Sequence, residues 1–208
     1  MRDLALGPSP CYHGFLPYYP ELPMSPATPL VLSARAPLYH CICQVLTPGA
    51  HLLDAGCGEG EDARHFQQSG YVVSAIELDL AMARRASRHG DLPVRVGDIS
   101  TLHTVVPFDG IWACDLLPCL PASQRFAMLA KLASLLKTGG ILYCNVPQGE
   151  RLAPPEETDP LDTEASMAAD ELEMLASLSL HLVRQWQAPL PPKPATQAWR
   201  HLLLRKGS

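Results

Sequence analysis

The stretch Leu52-Leu53-Asp54-Ala55-Gly56-Cys57-Gly58-Glu59-Gly60 constrains this chain more than any other. An apolar run ends in three glycines on alternate positions, and a helical pattern begins directly after them. Glycine accepts backbone angles closed to other residues and leaves no side chain between the backbone and a ligand. A turn of this kind suits the carboxyl end of a parallel strand, the edge at which open α/β sheets bind their ligands.

The flanking pattern agrees. Apolar runs bounded by glycine alternate with helical periodicity, as repeated strand-helix units require. Strands are predicted at 51–55, 71–77, 94–96, 108–114, 141–146, 180–186 and 199–205. Helices are predicted at 61–69, 80–89, 123–137 and 168–177. Gly70 and Gly90 stand where the first two helices must stop, and Arg84, Arg85, Arg88 and His89 complement the dipole at the end of the second. In the third, Phe126, Leu129, Leu132, Ala133 and Leu136 form an apolar stripe, and Thr138-Gly139-Gly140 turns the chain towards the next strand. Phe108, Trp112 and Phe126 are expected in the core. The implied fold is α/β, a Rossmann-like doubly wound, mostly parallel sheet of seven strands in a single domain.

Proline marks the ends. Of 21 prolines, eight lie in residues 1–37 and eight in 147–194. Because proline fixes its backbone and lacks a donor, these ends are expected to be irregular, with a Pro-rich segment at 1–37 preceding the domain at 38–208. That segment gathers Tyr12, Phe15, Tyr18 and Tyr19, aromatics whose polar tips suit a lid over a small organic substrate. Tyr18 and Tyr19 are candidate substrate contacts. The alternative is a tail folded on the surface.

Composition removes other classes. With 16 Lys plus Arg against 21 Asp plus Glu, the net charge of -5 withholds the attraction that dominates nucleic-acid binding. No apolar run approaches the roughly 20 residues of a membrane span, and the first residues lack a secretory signal, so a cytoplasmic protein is expected. Seven cysteines without CxxC spacing argue against a disulfide scaffold and a zinc site, and no metal is expected.

Two further acids turn the glycine turn into a site. Glu77 ends the second strand 19 residues beyond Gly58, about the spacing at which a carboxylate accepts from ribose hydroxyls, and Asp98 follows the third strand after Gly97. With Phe108-Asp109-Gly110-Ile111-Trp112, these features resemble the class I S-adenosylmethionine-dependent methyltransferases of the small-molecule type, from about Leu38 to Val146. The resemblance implies S-adenosylmethionine as cofactor, with Gly56, Gly58 and Gly60 along its methionine and ribose portion and Asp54 and Cys57 in the same binding set. It also implies Glu77 on the ribose hydroxyls, Asp98 on the adenine amino group, Leu78 and Ile99 on the two ring faces, and Ala113 and Cys114 beside the sulfonium.

A nicotinamide dinucleotide would want Gly-x-Gly-x-x-Gly and a helix terminus free to face a pyrophosphate, whereas Asp54, Glu59, Glu61 and Asp62 surround this turn with negative charge. No Gly-Lys-Ser/Thr of a phosphate loop follows either. Asp115, directly after the fourth strand, is the candidate general base or acceptor-orienting group, with a plain loop carboxylate as the alternative. Family members often carry a histidine a few positions further on, where Pro118 and Cys119 stand here. The expected function is methyl transfer to an oxygen, nitrogen or sulfur atom of a small molecule, by a monomer or homodimer. A non-catalytic module that keeps the cofactor fold is the alternative.

Overall fold

The computed structural model describes residues 29–88, 92–152, 167–190 and 198–208. The predicted lid residues Tyr12, Phe15, Tyr18 and Tyr19, and most of the acidic 150–164 loop, fall outside them. Seven strands form one sheet: β1 His51–Ala55, β2 Val72–Glu77, β3 Val94–Val96, β4 Phe108–Ala113, β5 Leu136–Pro147, β6 Leu180–Pro189 and β7 Ala198–Lys206. The order is β3-β2-β1-β4-β5-β7-β6. β1 to β5 pair in parallel, and β7 runs antiparallel to both its neighbours. The strand order reverses between β1 and β4, the topological switch point where a crevice opens at the carboxyl edge.

Among the described residues five helices cover the sheet: α1 Pro29–Cys43, α2 Glu61–Gln68, α3 Leu80–Arg88, α4 Ala122–Leu135 and α5 Ala169–Ser177. Side chains alternate along each strand, so each strand feeds two cores. Leu53, Ala55, Ile111, Ala113 and Leu142 pack with Leu129 and Leu132 of α4 and Leu175 of α5. Leu52, Val73, Trp112 and Tyr143 pack on the opposite face with Leu38, Tyr39 and Ile42 of α1 and Phe66 of α2. On that face Trp112 stacks on Tyr143 at 3.9 Å between ring centroids. The Tyr143 hydroxyl donates to His201 Nδ1, and His201 Nε2 donates to the Ala188 carbonyl. This pairing requires the neutral imidazole, and burial lowers the His201 pKa accordingly.

Three expectations need correction. Residues 29–37, expected to be irregular, are helical: α1 continues through Pro37. A proline inside a helix removes one backbone bond, and burial of Leu38, Tyr39 and Ile42 offsets that loss. Thr138-Gly139-Gly140 is not a turn before β5 but part of it. The register with β4 jumps from Phe108↔Leu136 to Gly110↔Ile141, with Gly139 at φ 80 absorbing the bulge. Phe126 is 42% exposed and outside the core. The rest of the expected stripe, Leu129, Leu132, Ala133 and Leu136, is buried, and in place of Phe126 the inward position belongs to Arg125, whose guanidinium bonds the Leu117 and Arg151 carbonyls and Glu150.

The antiparallel end is fastened by charge. Glu171 of α5, 3% exposed, takes both guanidinium nitrogens of Arg200 from β7 and the Leu152 N–H. Burial alone would push its carboxyl up, but these donors outweigh burial and hold it below the usual range. A depressed carboxyl stabilises the fold above its unfolded pKa, and the contribution is lost as pH falls through the folded value. Urea unfolding of Glu171→Gln is therefore expected to show a loss of about 2–4 kcal/mol at neutral pH, shrinking below about pH 4.

Candidate functional site

The glycine turn leaves β1 in the left-handed region, with φ of 79 at Gly56, 55 at Gly58 and 78 at Gly60. Its backbone is closed against the end of β2. The Gly56 and Cys57 N–H groups donate to the Ile76 carbonyl at 2.9 and 3.1 Å. Gly58 N–H donates to Glu77 Oε2 and Asp79 N–H to Oε1, each at 2.8 Å. Glu77, 1% exposed, is thus oriented by backbone on both oxygens, each of which keeps further accepting capacity. The glycines answer different demands. A Cβ on Gly60 would come within 3.0 Å of Ala86 Cβ, so that glycine lets α2 approach α3, whereas a Cβ on Gly58 would meet nothing within 4 Å.

Three acids with almost no exposure, Asp54, Asp62 and Glu77, gather beneath the turn. Asp62 is the hub of this edge. Its oxygens accept from Arg35 at 2.7 and 2.9 Å, from the Tyr39 hydroxyl at 2.6 Å and from the Trp112 indole at 2.8 Å, joining α1, α2 and β4. Asp54 is placed differently. Burial pushes its carboxyl well up, the nearby charges of Asp62 and Glu77 add to that, and Arg35 opposes it. Its buried Oδ2 has no hydrogen-bond partner among the described residues.

The other wall is the end of β4. Leu116 Cδ1 would lie 3.3 Å from a Cβ on Gly56, so the segment after β4 rests on the glycine turn. Asp115, with φ 60, is a non-glycine residue in the left-handed region. Its peptide is held on both sides: Asn145 Oδ1 accepts from its N–H at 2.7 Å, and the Cys119 thiol donates to its carbonyl at 3.2 Å. Burial and the adjoining acids raise the Cys57 and Cys114 thiols, so neither is poised as a thiolate nucleophile.

The switch point thus brings Asp54, Gly56, Cys57, Gly58, Gly60, Glu77, Ala113, Cys114 and Asp115 to one edge, at the carboxyl ends of the three neighbouring parallel strands β2, β1 and β4. Leu78, beside Glu77, is 59% exposed and presents an apolar surface there. Ile99 is 6% exposed and packed into the core. Asp98 caps the short 3-10 turn Ile99–Thr101, with Oδ1 accepting from Ser100 N–H. Tyr18 and Tyr19 are outside the described residues. Among these residues no group of three or more His, Cys, Asp or Glu could hold a metal ion. No helix among them is long and apolar enough to cross a membrane.

Sequence reasoning missed Arg35, Tyr39, Arg125 and Asn145. Arg35 and Tyr39 stand in a segment read as irregular or as its margin. Asn145 carried a usable signal, an amide inside the otherwise apolar run Ile141 to Val146. Nothing local distinguishes Arg125 from a surface arginine.

The donor set fits S-adenosylmethionine on two observations, the buried, unmatched Asp54 Oδ2 and the open side of Gly58. A ligand carrying an ammonium and a sulfonium supplies the charge that Asp54 disfavours facing alone. The residues that would hold it are Gly56 and Gly58 of the turn, the Glu77 carboxylate and the exposed Leu78.

Residues 52–140 match the family model described as a methyltransferase domain. The ubiquinone biosynthesis O-methyltransferase of Xanthomonas campestris pv. campestris is 30% identical over 125 residues, covering 57% of this chain and 52% of that protein. The chain therefore spans about half the length of the curated relatives it matches. Among solved structures, magnesium protoporphyrin IX methyltransferase from Synechocystis, crystallised with bound S-adenosylmethionine, superposes with a TM-score of 0.63 at 19% identity, over 86% of this chain and 80% of that one. The [4+2]-cyclase SpnF superposes with a TM-score of 0.61 at 18% identity, over 82% and 80%. Residues 52–140 thus resemble a methyltransferase domain, and the seven-stranded sheet has the fold of the solved methyltransferase on which it superposes.

Proposed function

We propose that this chain transfers the methyl group of S-adenosylmethionine to an oxygen, nitrogen or sulfur atom of a small molecule. The observation that carries the reading is the buried acidic edge, where Glu77 is aligned by the glycine turn and Asp54 keeps an unmatched Oδ2 beside it. The likeness to O-methyltransferases supports oxygen among the three acceptor atoms. The sulfonium supplies an already activated methyl group with a neutral leaving thioether, so the protein's task is chiefly to position two reactants.

In this reading Gly56, Gly58 and Gly60 admit the methionine and ribose portion, with Asp54 and Cys57 in the wall behind them. Glu77 accepts from the ribose hydroxyls, Asp98 keeps one oxygen for the adenine amino group while the other caps its turn, and Leu78 and Ile99 flank the ring. Ala113 and Cys114 form the floor near the sulfur. Asp115, presented by a strained and doubly held turn, orients the acceptor or takes its proton. Acceptor choice rests with the segments after β4 and β5, which Arg125 ties together by bonding the Leu117 and Arg151 carbonyls and Glu150.

A second reading keeps the fold without methyl transfer. The structural likeness to a cyclase favours carrying it, since the same architecture serves another reaction there. Calorimetry with S-adenosylhomocysteine and transfer of labelled methyl into a metabolite extract separate the two. Wild type is expected to bind and transfer, and Glu77→Ala to lose at least 10-fold in affinity, since it removes charge-assisted hydrogen bonds. Binding without transfer would support the second reading, and absence of binding would contradict both.

The Asp54 environment adds a pH signature. A carboxyl raised in the free protein and drawn to ionise by a bound cation makes affinity for S-adenosylhomocysteine tighten as pH rises towards that raised value, and Asp54→Asn should flatten the slope. The same raised carboxyl contributes stability at low pH that is lost as pH rises through its folded value. Ligand-free Asp54→Asn should therefore melt above wild type at pH 8.

A further inference from the structure

Asn145 has a position that the donor site does not use. It follows Tyr143 by two residues on β5, so it shares the sheet face of Trp112, Cys114 and Asp54. The pairing of Ala113 with Cys144 puts it directly beside Cys114 at the carboxyl edge. It is fully buried. Its Oδ1 is committed to the Asp115 N–H at 2.7 Å, and its Nδ2 has no hydrogen-bond partner among the described residues. The assignment of the two amide atoms is not arbitrary, because a flipped amide would set an N–H against the Asp115 N–H.

Two costs coincide here. A non-glycine residue at φ 60 is strained, and a buried N–H₂ group that finds no acceptor loses its hydration without replacement. The strain lies at Asp115, in the segment that rests on Gly56, and the unmatched group belongs to the amide of β5 that holds that turn. Strain and unmatched polarity of this kind are kept where a ligand resolves them. Since Oδ1 and Nδ2 leave the same carbon, the unmatched donor sits beside the very turn that Oδ1 fixes.

Resting on the methyltransferase reading, we propose that Asn145 is an acceptor-binding residue: Nδ2 donates a hydrogen bond to an oxygen of the methyl acceptor while Oδ1 holds the Asp115 turn. The substrate class this selects is a small molecule with a hydrogen-bond-accepting oxygen at or next to the methylated atom, such as a phenol with a neighbouring hydroxyl or carbonyl. An acceptor reacting through an isolated thiol or alkylamine would leave the amide unmatched and be disfavoured.

The test uses the full chain with catechol, salicylate, thiophenol and benzylamine as probe acceptors. Titrating catechol or salicylate into protein saturated with S-adenosylhomocysteine should shift the Asn145 side-chain N–H₂ resonances, and thiophenol and benzylamine should not. Asn145→Asp keeps an oxygen for the Asp115 N–H and removes the donor, whereas Asn145→Leu removes both. Each should lower kcat/KM for the oxygen probes by about 10- to 100-fold with the affinity for S-adenosylhomocysteine changed less than about threefold. If Asn145→Leu does not fold, Asn145→Asp and the resonance shift still decide. Equal loss of S-adenosylhomocysteine affinity would overturn the inference by placing Asn145 in the donor site. Unchanged turnover of the oxygen probes would also overturn it, as would wild-type protein that binds S-adenosylhomocysteine but neither binds nor methylates any oxygen probe. Only failure of wild type to bind S-adenosylhomocysteine would reach back to the methyltransferase reading itself.

Discussion

Buried negative charge at the carboxyl edge of the sheet is the constraint around which this molecule is arranged. Asp54, Asp62 and Glu77 are all nearly inaccessible to water, and burying a carboxylate is costly unless donors or cations surround it. Asp62 meets that cost with Arg35, Tyr39 and Trp112, and in doing so seats α1 on the sheet. Glu77 meets it with backbone N–H groups that the glycine turn can present only because its residues enter the left-handed region. Asp54 carries the imbalance that remains.

The same edge shows how one sheet supplies two kinds of precision. β1 and β2 deliver the glycine turn and Glu77, where the demand is close approach of backbone and a fixed carboxylate. β4 and β5 deliver Cys114, Asp115 and Asn145, where the demand is a strained turn held by an amide and a thiol. Arg125, buried beneath the segments after these strands, bonds carbonyls on both sides and makes the second wall a single unit. Beyond β5, the Glu171–Arg200 pair fastens α5 to β7 and so completes the antiparallel side of the sheet.

Much of this was legible in the sequence, for physical reasons. Apolar runs such as Leu52 to Ala55 and Val72 to Ile76 are bounded by glycines that end helices or begin turns, so β1, β3, α2 and α3 emerge within a residue or so of their predicted limits. Glu77 could be found because its role depends on a spacing along the chain. Asp62 appeared only as one acid among several, because its partners lie 23, 27 and 50 residues away and their pairing exists only in three dimensions. Phe126 misled because two neighbouring stripes of α4 differ by one residue, and hydrogen bonds to carbonyls drew Arg125 inward. The helix through Pro37 was hidden by a local penalty that tertiary packing overrides.

The claim on which the account stands is that this acidic crevice holds a cationic methyl donor in one orientation. A crystal structure of the chain with S-adenosylhomocysteine measures it most directly. The account predicts the ribose hydroxyls within hydrogen-bond distance of the Glu77 carboxylate, the ammonium on the Asp54 side of the glycine turn, and the sulfur facing the segment from Cys114 to Asp115. A ligand bound elsewhere, or one whose ribose lies away from Glu77, would contradict it.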